Sequence, residues 1–391
     1  MRGPPSERPP AAWSDRVRVL FSDLTLPYLL KDAEYPVGGW AVQLRQLAIA
    51  LREAGHEVGV LTWAGANAFV GPQSEVQLLE TYDRNRGIRK LRFFYYFLPS
   101  MIAAARRFRP DVVVQSCAST ETGTMAFIAS LLGVPFVHRI AADTDADGQY
   151  VTRLKQHERV AFQFGMRRAK LVICQNSYQS ENIAISFPKK GRLLLHNSIL
   201  VPPGIGDINP RGARSYVAWL NVFRRQKNLP LLIKIAAALP AVKFRVAGSA
   251  MPQHMDEEMR ANIAALEALP NVELVGYLTR DRVPEFLAGA IALLSTSDFE
   301  GFSNTYLEAL LAGTPIVTRS IVDPDSIVRR NALGGVADSG DELAGELAKV
   351  VGLPPARFDQ LAMRCRDYVL ANHRPSAAVE KLVAAFQQVA G

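Results

Sequence analysis

The sequence predicts an α/β protein made of two doubly wound parallel-sheet domains that face each other across a cleft. Three observations lead there. Short β-branched apolar runs alternate with helical stretches along most of the chain, as strands buried on both faces of a parallel sheet do. The 391 residues exceed what one ordinary core holds. The alternation is interrupted once, at residues 197–212, where Asn197, Pro202, Pro203, Gly204, Gly206, Pro210 and Gly212 crowd into an interdomain linker. The chain therefore divides into a leader (1–15), a first domain (16–196), the linker (197–212), a second domain (213–372) and a terminal helix (373–391) placed to pack back on the first domain.

The first strand is expected at Val17–Phe21. Gly38-Gly39 then opens a helix from about Trp40 to Ala54, with Leu44, Leu47, Ala48 and Leu51 on one face at helical spacing. Gly55 ends it, as a glycine just past a helix does, and Val58–Leu61 is the next strand. Asp111–Gln115, Pro135–Arg139, Leu171–Cys174 and Leu193–Leu195 continue the first sheet. Beyond the linker, strands are expected at Ser215–Leu220, Lys243–Ala247, Val272–Val275, Ala290–Leu294 and Pro315–Thr318. The intervening helices include Leu229–Ala238 and Met255–Leu269, and after Asp341 the chain is helical, broken at Pro354-Pro355 and Pro375.

Composition excludes several classes. Nearly half the residues are apolar (49%) and 21% are charged, as in a soluble globular protein. Cys117, Cys174 and Cys365 are odd in number and widely spaced, and read as reduced core thiols of a cytosolic protein instead of a disulfide set or zinc site. Residues 1–15 are rich in proline and arginine and lack an apolar h-region, so they read as a disordered leader and not a signal peptide. No stretch offers the roughly 20 apolar residues that cross a bilayer. Neither half carries a dinucleotide fingerprint or a P-loop.

The net charge of +8 is partly local. Arg84, Arg86, Arg89, Lys90 and Arg92 precede Phe93-Phe94-Tyr95-Tyr96-Phe97-Leu98, and Arg106, Arg107 and Arg109 follow. Two readings are open. Arg84–Leu98 meets an anionic membrane surface, or the aromatics are buried with the arginines on the wet face. No binding motif accompanies the charge, so a nucleic-acid partner is not expected.

Residues 290–318 say most about function. A buried strand, Ala290–Leu294, leads into small polar residues, then Glu300-Gly301-Phe302-Ser303-Asn304, a helical stretch from Tyr306 to Ala312, and Gly313-Thr314-Pro315 before another strand. Loop N–H groups and a helix N-terminus at the carboxyl end of a sheet favour anions. Glu300 lies at the loop mouth, and Glu308 about a turn into the helix. Carboxylates accept the paired hydrogen bonds of a vicinal diol, which suits a ribose and a sugar ring flanking a diphosphate. Two glutamates eight apart would otherwise be ordinary solvated or capping residues.

This stretch resembles the Glu-x7-Glu signature of family 4 retaining nucleotide-sugar glycosyltransferases of the GT-B fold, in which two Rossmann-like domains face a cleft. The resemblance covers nearly the whole chain after residue 16. It implies an acceptor-binding first domain, in which Gly38 and Gly39 approach the donor phosphates, and a second domain that binds the nucleotide sugar. It also implies that Glu308 anchors the ribose, that Glu300 holds the donor sugar, and that the amides of Gly301, Phe302, Ser303 and Asn304 face the diphosphate. Gly248 would line the nucleotide pocket, and the backbone at Gly276-Tyr277 would contact the base. Lys227 matches the family lysine that stabilises the leaving diphosphate. No metal or other cofactor is implied for donor binding.

The sequence departs from the family in two places. The usual arginine falls on Asn221 or Val222, so Arg224 or Arg225 is expected to replace it. The usual acceptor-side histidine falls on Ala141. Asp143, Asp145 and Asp147 lie nearby, and Asp143 is expected either to face the cleft and contact a sugar or to cap the following helix. Asp-x-Asp-x-Asp-Gly superficially matches a calcium loop, but Leu154 stands where the bidentate glutamate belongs.

The function implied is transfer of a sugar from a nucleoside diphosphate donor to a hydroxyl of a glycan or lipid-linked acceptor, with retention, in polysaccharide or surface glycan synthesis. Glu300, Lys227 and Asp143 are the candidate catalytic residues. The expected location is cytoplasmic, at the inner face of the plasma membrane if Arg84–Leu98 binds lipid. The alternatives are a nucleotide-sugar epimerase or phosphorylase of the same fold, or a non-catalytic sugar-nucleotide-binding protein.

Overall fold

The structure is a computed structural model that describes residues 16–390 apart from 36, 73, 90, 203–204 and 251–253. The leader at 1–15, Lys90 of the basic run, and Pro203-Gly204 of the linker lie outside the described residues. The first domain is a seven-stranded sheet in the order β3-β2-β1-β4-β5-β6-β7. Its strands are β1 (Arg18–Ser22), β2 (Glu57–Thr62), β3 (Gln77–Glu80), β4 (Val112–Ser116), β5 (Phe136–Arg139), β6 (Leu171–Cys174) and β7 (Gly191–Leu194). The second is six-stranded, in the order β10-β9-β8-β11-β12-β13. It comprises β8 (Tyr216–Leu220), β9 (Phe244–Ala247), β10 (Val272–Gly276), β11 (Ala290–Leu294), β12 (Ile316–Arg319) and β13 (Gly334–Ala337). Both sheets are parallel, with β1 between β2 and β4 and β8 between β9 and β11, so each reverses its winding at the central strands.

The central strands carry runs of buried apolar residues because helices cover both faces. Val19, Leu20, Phe21, Val112, Val113 and Val114 are all buried, as is every residue of Ala290–Leu294. The expected strands and helices are present, with ends shifted by one to two residues in most of them. Two strands were not expected. Gln77–Glu80 is a short edge strand with a polar residue at each end, and Gly334–Ala337 begins with a glycine pair that reads as a break. Gly334 has no freedom to be anything else, since its φ is +153° and a Cβ would lie 1.8 Å from the Ile316 carbonyl oxygen.

The chain crosses between the domains twice. Leu195 belongs to the first core and Ile199 to the second. The long helix Pro355–Asn372 packs on the second core through Leu361, Cys365 and Val369. The last helix, Pro375–Ala390, returns to the first, where Val379, Leu382 and Phe386 join Leu44, Leu47 and Leu51. The two crossings touch. The Ile199 N–H donates to the His373 carbonyl (2.9 Å), and His373 Nδ1 contacts the Asn197 carbonyl at 2.8 Å.

The aromatic run is partly buried and partly exposed. Phe97 stacks on Tyr82 with centroids 3.8 Å apart, and the Tyr96 hydroxyl accepts the Asp83 N–H. Phe94 is 69% exposed and Tyr95 52%, beside Ile88 at 65% and Leu91 at 57%. Among the described residues no helix is long and apolar enough to cross a membrane.

Candidate active site in the interdomain cleft

A cleft of about 610 Å3 opens where the carboxyl ends of the two sheets meet. The first domain lines it with Gly38, Gly39, Trp40, Cys117, Arg139 and Asp145. The second contributes Arg224, Lys227, Gly248, Tyr277, Arg280, the loop Glu300–Asn304, and Glu308.

The two loops that carry the charged residues are tied together. The Trp219 indole N–H on β8 donates to Thr296 Oγ1 (3.0 Å) after β11, and that hydroxyl donates to the Lys227 carbonyl (2.6 Å). The Asp298 N–H donates to the Gln226 carbonyl at 2.8 Å. Lys227 Nζ is thereby delivered to Glu300 Oε1, with both side chains largely buried. Glu308 is paired as well. Arg280 Nη2 donates to its Oε1 at 2.6 Å, and this carboxylate, outweighing burial, raises the Arg280 guanidinium further. Arg280 was not among the expected site residues. In sequence it is one of two arginines in Thr-Arg-Asp-Arg (279–282), and only its spatial position sets it apart.

Of the two candidate arginines, Arg224 lines the cleft. Residues Arg225–Lys227 form a 3-10 turn, in which side chains three apart lie on the same side. Arg224 and Lys227 therefore both reach the cleft. Arg225 points away, pairs with Asp256 (3.1 Å) and Glu258 (2.8 Å), and is exposed. It is corrected out of the donor set.

The helix Asn304–Leu311 follows the loop, and its N-cap residue Ser303 makes no capping bond through its side chain. Among the described residues no hydrogen bond takes up the N–H groups of Phe302, Ser303 or Asn304. Asn304 joins the domains. Its Nδ2 donates to the Gly39 carbonyl (2.7 Å), while its Oδ1 accepts from Gln43 Nε2 (2.8 Å) and Asn197 Nδ2 (2.7 Å). Asn197 Nδ2 also reaches the Phe302 carbonyl, and Asn176 Nδ2 the Gly301 carbonyl. On the far side, the Tyr277 hydroxyl donates to the Ala33 carbonyl (2.9 Å) and the Arg280 N–H to Asp32 Oδ1 (3.0 Å). The domains are closed on one another. Gly248 is required where β9 ends, since its φ is +130° and a Cβ would fall 1.8 Å from the Asn221 carbonyl oxygen.

Asp143 takes neither of its two expected places. Its carboxylate accepts from Asn176 Nδ2 and Gln179 Nε2, both at 2.9 Å, and Asp145 instead lines the cleft among the described residues. The N-cap of its helix is Ala142, leaving Asp143 one position inside. Burial pushes the Asp143 carboxyl up to about 6 despite the two amides. Asp145 is paired with Arg153 at 2.5 Å, and Asp147 is taken up by Gln149 and Tyr178. The three aspartates thus have separate partners, and among the described residues no group of acidic, histidine or cysteine side chains is gathered as a metal site.

Comparison with known proteins agrees with this architecture. A family model described as glycosyl transferases group 1 matches residues 207–368, and one described as a glycosyl transferase 4-like domain matches residues 38–197. The chain is similar to the 2-deoxystreptamine N-acetyl-D-glucosaminyltransferase of Streptomyces fradiae, with 24% identity over 238 residues, 54% of this chain. The match spans about half (55%) of that relative's length. Among solved structures, Alr3699/HepE of Anabaena, in complex with UDP and glucose, superposes with a TM-score of 0.73 at 17% identity. That match covers 95% of this chain and all (100%) of the other. Sucrose-phosphate synthase of Thermosynechococcus elongatus gives 0.72 at 16% identity, covering 96% of this chain and 99% of that one. At these identities the structural likeness is one of fold.

Proposed function

The chain belongs to the group 1 glycosyltransferases, with a glycosyl transferase 4-like domain ahead of the group 1 domain, and from that premise we propose that it transfers a sugar from a nucleoside diphosphate donor to a hydroxyl of a glycan or lipid-linked acceptor, with retention. One observation carries the reading. Two glutamates eight residues apart each hold a cation at the mouth of one cleft, beside a helix N-terminus with no side-chain cap.

In this reading the diphosphate lies between the Phe302–Asn304 amides, Arg224 and Lys227. Glu308 takes the ribose hydroxyls on its free oxygen, held in orientation by Arg280, and Glu300 takes hydroxyls of the donor sugar. The bond from the anomeric carbon to the diphosphate breaks as the acceptor oxygen attacks the same face, and the acceptor proton passes to the departing phosphate. The protein's work is then electrostatic, because Lys227 and Arg224 stabilise charge that grows on the leaving group. No protein nucleophile or metal step enters. A thermal-shift panel of UDP, GDP, ADP, CMP and dTDP tests the donor site, with Glu308→Ala in parallel. UDP is the first choice because the Anabaena structure holds it. One nucleotide should raise the melting temperature, less so in the variant, and no response to any of them would refute the assignment.

A second part of the reading concerns location. Ile88, Leu91, Phe94 and Tyr95 form an exposed apolar patch beside Arg84, Arg86, Arg89 and Arg92. That combination suits the headgroup region of an anionic bilayer and a lipid-linked acceptor. Absence of flotation with anionic liposomes would remove it.

A further inference from the structure

Asp325 gives its whole carboxylate to the other domain. It lies in the 3-10 turn Pro324–Ser326, which follows β12 in the second domain. Oδ1 accepts the N–H of Ser177 in the first domain (2.8 Å). Oδ2 meets Nε2 of His196, the last first-domain residue before the crossing, at 2.7 Å. Among the described residues neither oxygen accepts a bond from the second domain. Burial alone would raise this carboxyl, but the bonds from His196 and Ser177 outweigh it and hold it below the usual range.

The turn does not depend on that carboxylate for its own shape. Asp323 sets the shape, since its carbonyl accepts the Ser326 N–H (3.0 Å) and its carboxylate the N–H groups of Val328 (2.8 Å) and Arg329 (3.1 Å). Asp325 and Ser326 have φ of 52° and 55°, among the described residues the one consecutive pair of non-glycine residues in the left-handed region. Such a pair persists where its surroundings hold it, and here the outcome is a carboxylate presented across the domain boundary. Asp338 shows the ordinary case, an exposed carboxylate paired with Arg329 of its own domain.

The receiving side is a junction. Ser177 opens the ten-residue helix Ser177–Ser186, where unsatisfied N–H groups and the helix dipole favour a carboxylate. The N-cap of that helix, Asn176, donates to the Gly301 carbonyl of the donor loop at 2.9 Å. The His196 ring lies 5.4 Å from the ring of Phe302 in the same loop and 6.0 Å from that of His373 in the second crossing. The Asp325 contacts thus sit where the chain passes between the domains.

We propose that Asp325 is a hinge lock, which holds the domains closed by seating its carboxylate on the start of the Ser177–Ser186 helix and on His196. It acts on the reaction through closure alone, and the inference does not depend on which donor the cleft takes.

Hydrogen exchange of the ligand-free protein tests it, on wild type, Asp325→Asn, His196→Gln and Asp338→Asn. The reporter is the Arg280 N–H, which is bonded to Asp32 of the first domain on the far side of the cleft and is released when the cleft opens. The Leu293 N–H, bonded to the Pro315 carbonyl inside the second sheet, reports on that core. Asparagine tolerates the left-handed backbone, so Asp325→Asn removes the charge and leaves the turn. Loss of two charge-assisted bonds should speed exchange at Arg280 by about tenfold or more, with Leu293 unchanged. His196→Gln, which leaves the Ser177 bond, should act in the same direction and less far, and it carries the test if the asparagine variant does not fold. Asp338→Asn should match wild type at both amides. Unchanged exchange at Arg280 in both Asp325→Asn and His196→Gln would overturn the inference. So would faster exchange at Arg280 and Leu293 together, since Asp325 would then stabilise its own domain and not the closed arrangement. Because no ligand is present, a lock that opens as expected in a protein without turnover would stand while the nucleotide-sugar reading fell, and unchanged exchange in an active enzyme would mean the reverse.

Discussion

Replacing Gly301 by alanine should hold the two domains apart. A Cβ there would lie 2.5 Å from the Ala141 carbonyl oxygen, 2.9 Å from Gln179 Nε2 and 3.1 Å from Gln175 Nε2, against 3.4 Å where ordinary contact begins. The first contact is short by 0.9 Å (3.4 − 2.5) and involves backbone. The two amides cannot yield easily either. Gln175 Nε2 is bonded to the Ile140 and Ala141 carbonyls, and Gln179 Nε2 to Asp143. Overpacking of this kind costs about 1–3 kcal/mol, and the penalty exists only in the closed arrangement. The closed-to-open ratio should fall by about 5- to 150-fold, and kcat/KM should fall with the closed population. Small-angle scattering should show a larger radius of gyration, while both cores stay intact. Gly345→Ala is the control, since that exposed helical glycine has nothing within 4 Å of its Cβ. Scattering and kinetics for Gly301→Ala that match wild type would show that the domains do not meet this way during turnover.

Three further outcomes are expected. Glu308→Ala and Arg280→Ala should each raise the donor KM on the order of tenfold, and the double variant should be no worse than either, because the two act as one pair; additive losses in a double-mutant cycle would separate them. Lys227→Ala should lower kcat by about 100- to 1000-fold, the usual cost of removing one group that stabilises a developing anion; an unchanged single-turnover rate would exclude it from the leaving-group site. The Asp143 carboxyl at about 6, against an ordinary 3.8, means that the folded protein keeps that proton longer than the unfolded chain. Stability should therefore fall as pH rises from about 4 through 6 and level off above, with Asp143→Asn lacking this component. Parallel melting curves for the two proteins across that range would count against it.

The sequence makes some of this legible and hides the rest for physical reasons. Ala290–Leu294 and Leu171–Cys174 are readable to the residue because a strand covered on both faces must be apolar throughout. Gln77–Glu80 and Gly334–Ala337 are not, since edge position and close backbone approach remove that signature. The loop Glu300–Asn304 and Glu308 are contiguous, so their spacing alone brings them together. Arg280, Asn197, Gln43 and Arg139 come from distant segments and meet only when both sheets are folded and closed. The choice between Arg224 and Arg225 depended on a single 3-10 turn that no periodicity announces. Asp143 was misplaced because Asn176 and Gln179, over thirty residues away, draw its carboxylate aside.

The returning last helix has a consequence for how the molecule is made. The first domain is not one continuous piece of chain, because Ala378, Val379, Leu382, Ala385 and Phe386 of its core belong to the Pro375–Ala390 helix, which emerges only after the whole second domain. During synthesis the second domain can complete its sheet while the first still shows bare leucines at Leu44, Leu47 and Leu51. Residues 16–196 expressed alone should therefore be sticky and incomplete, and a peptide spanning 373–391 supplied in trans should restore them.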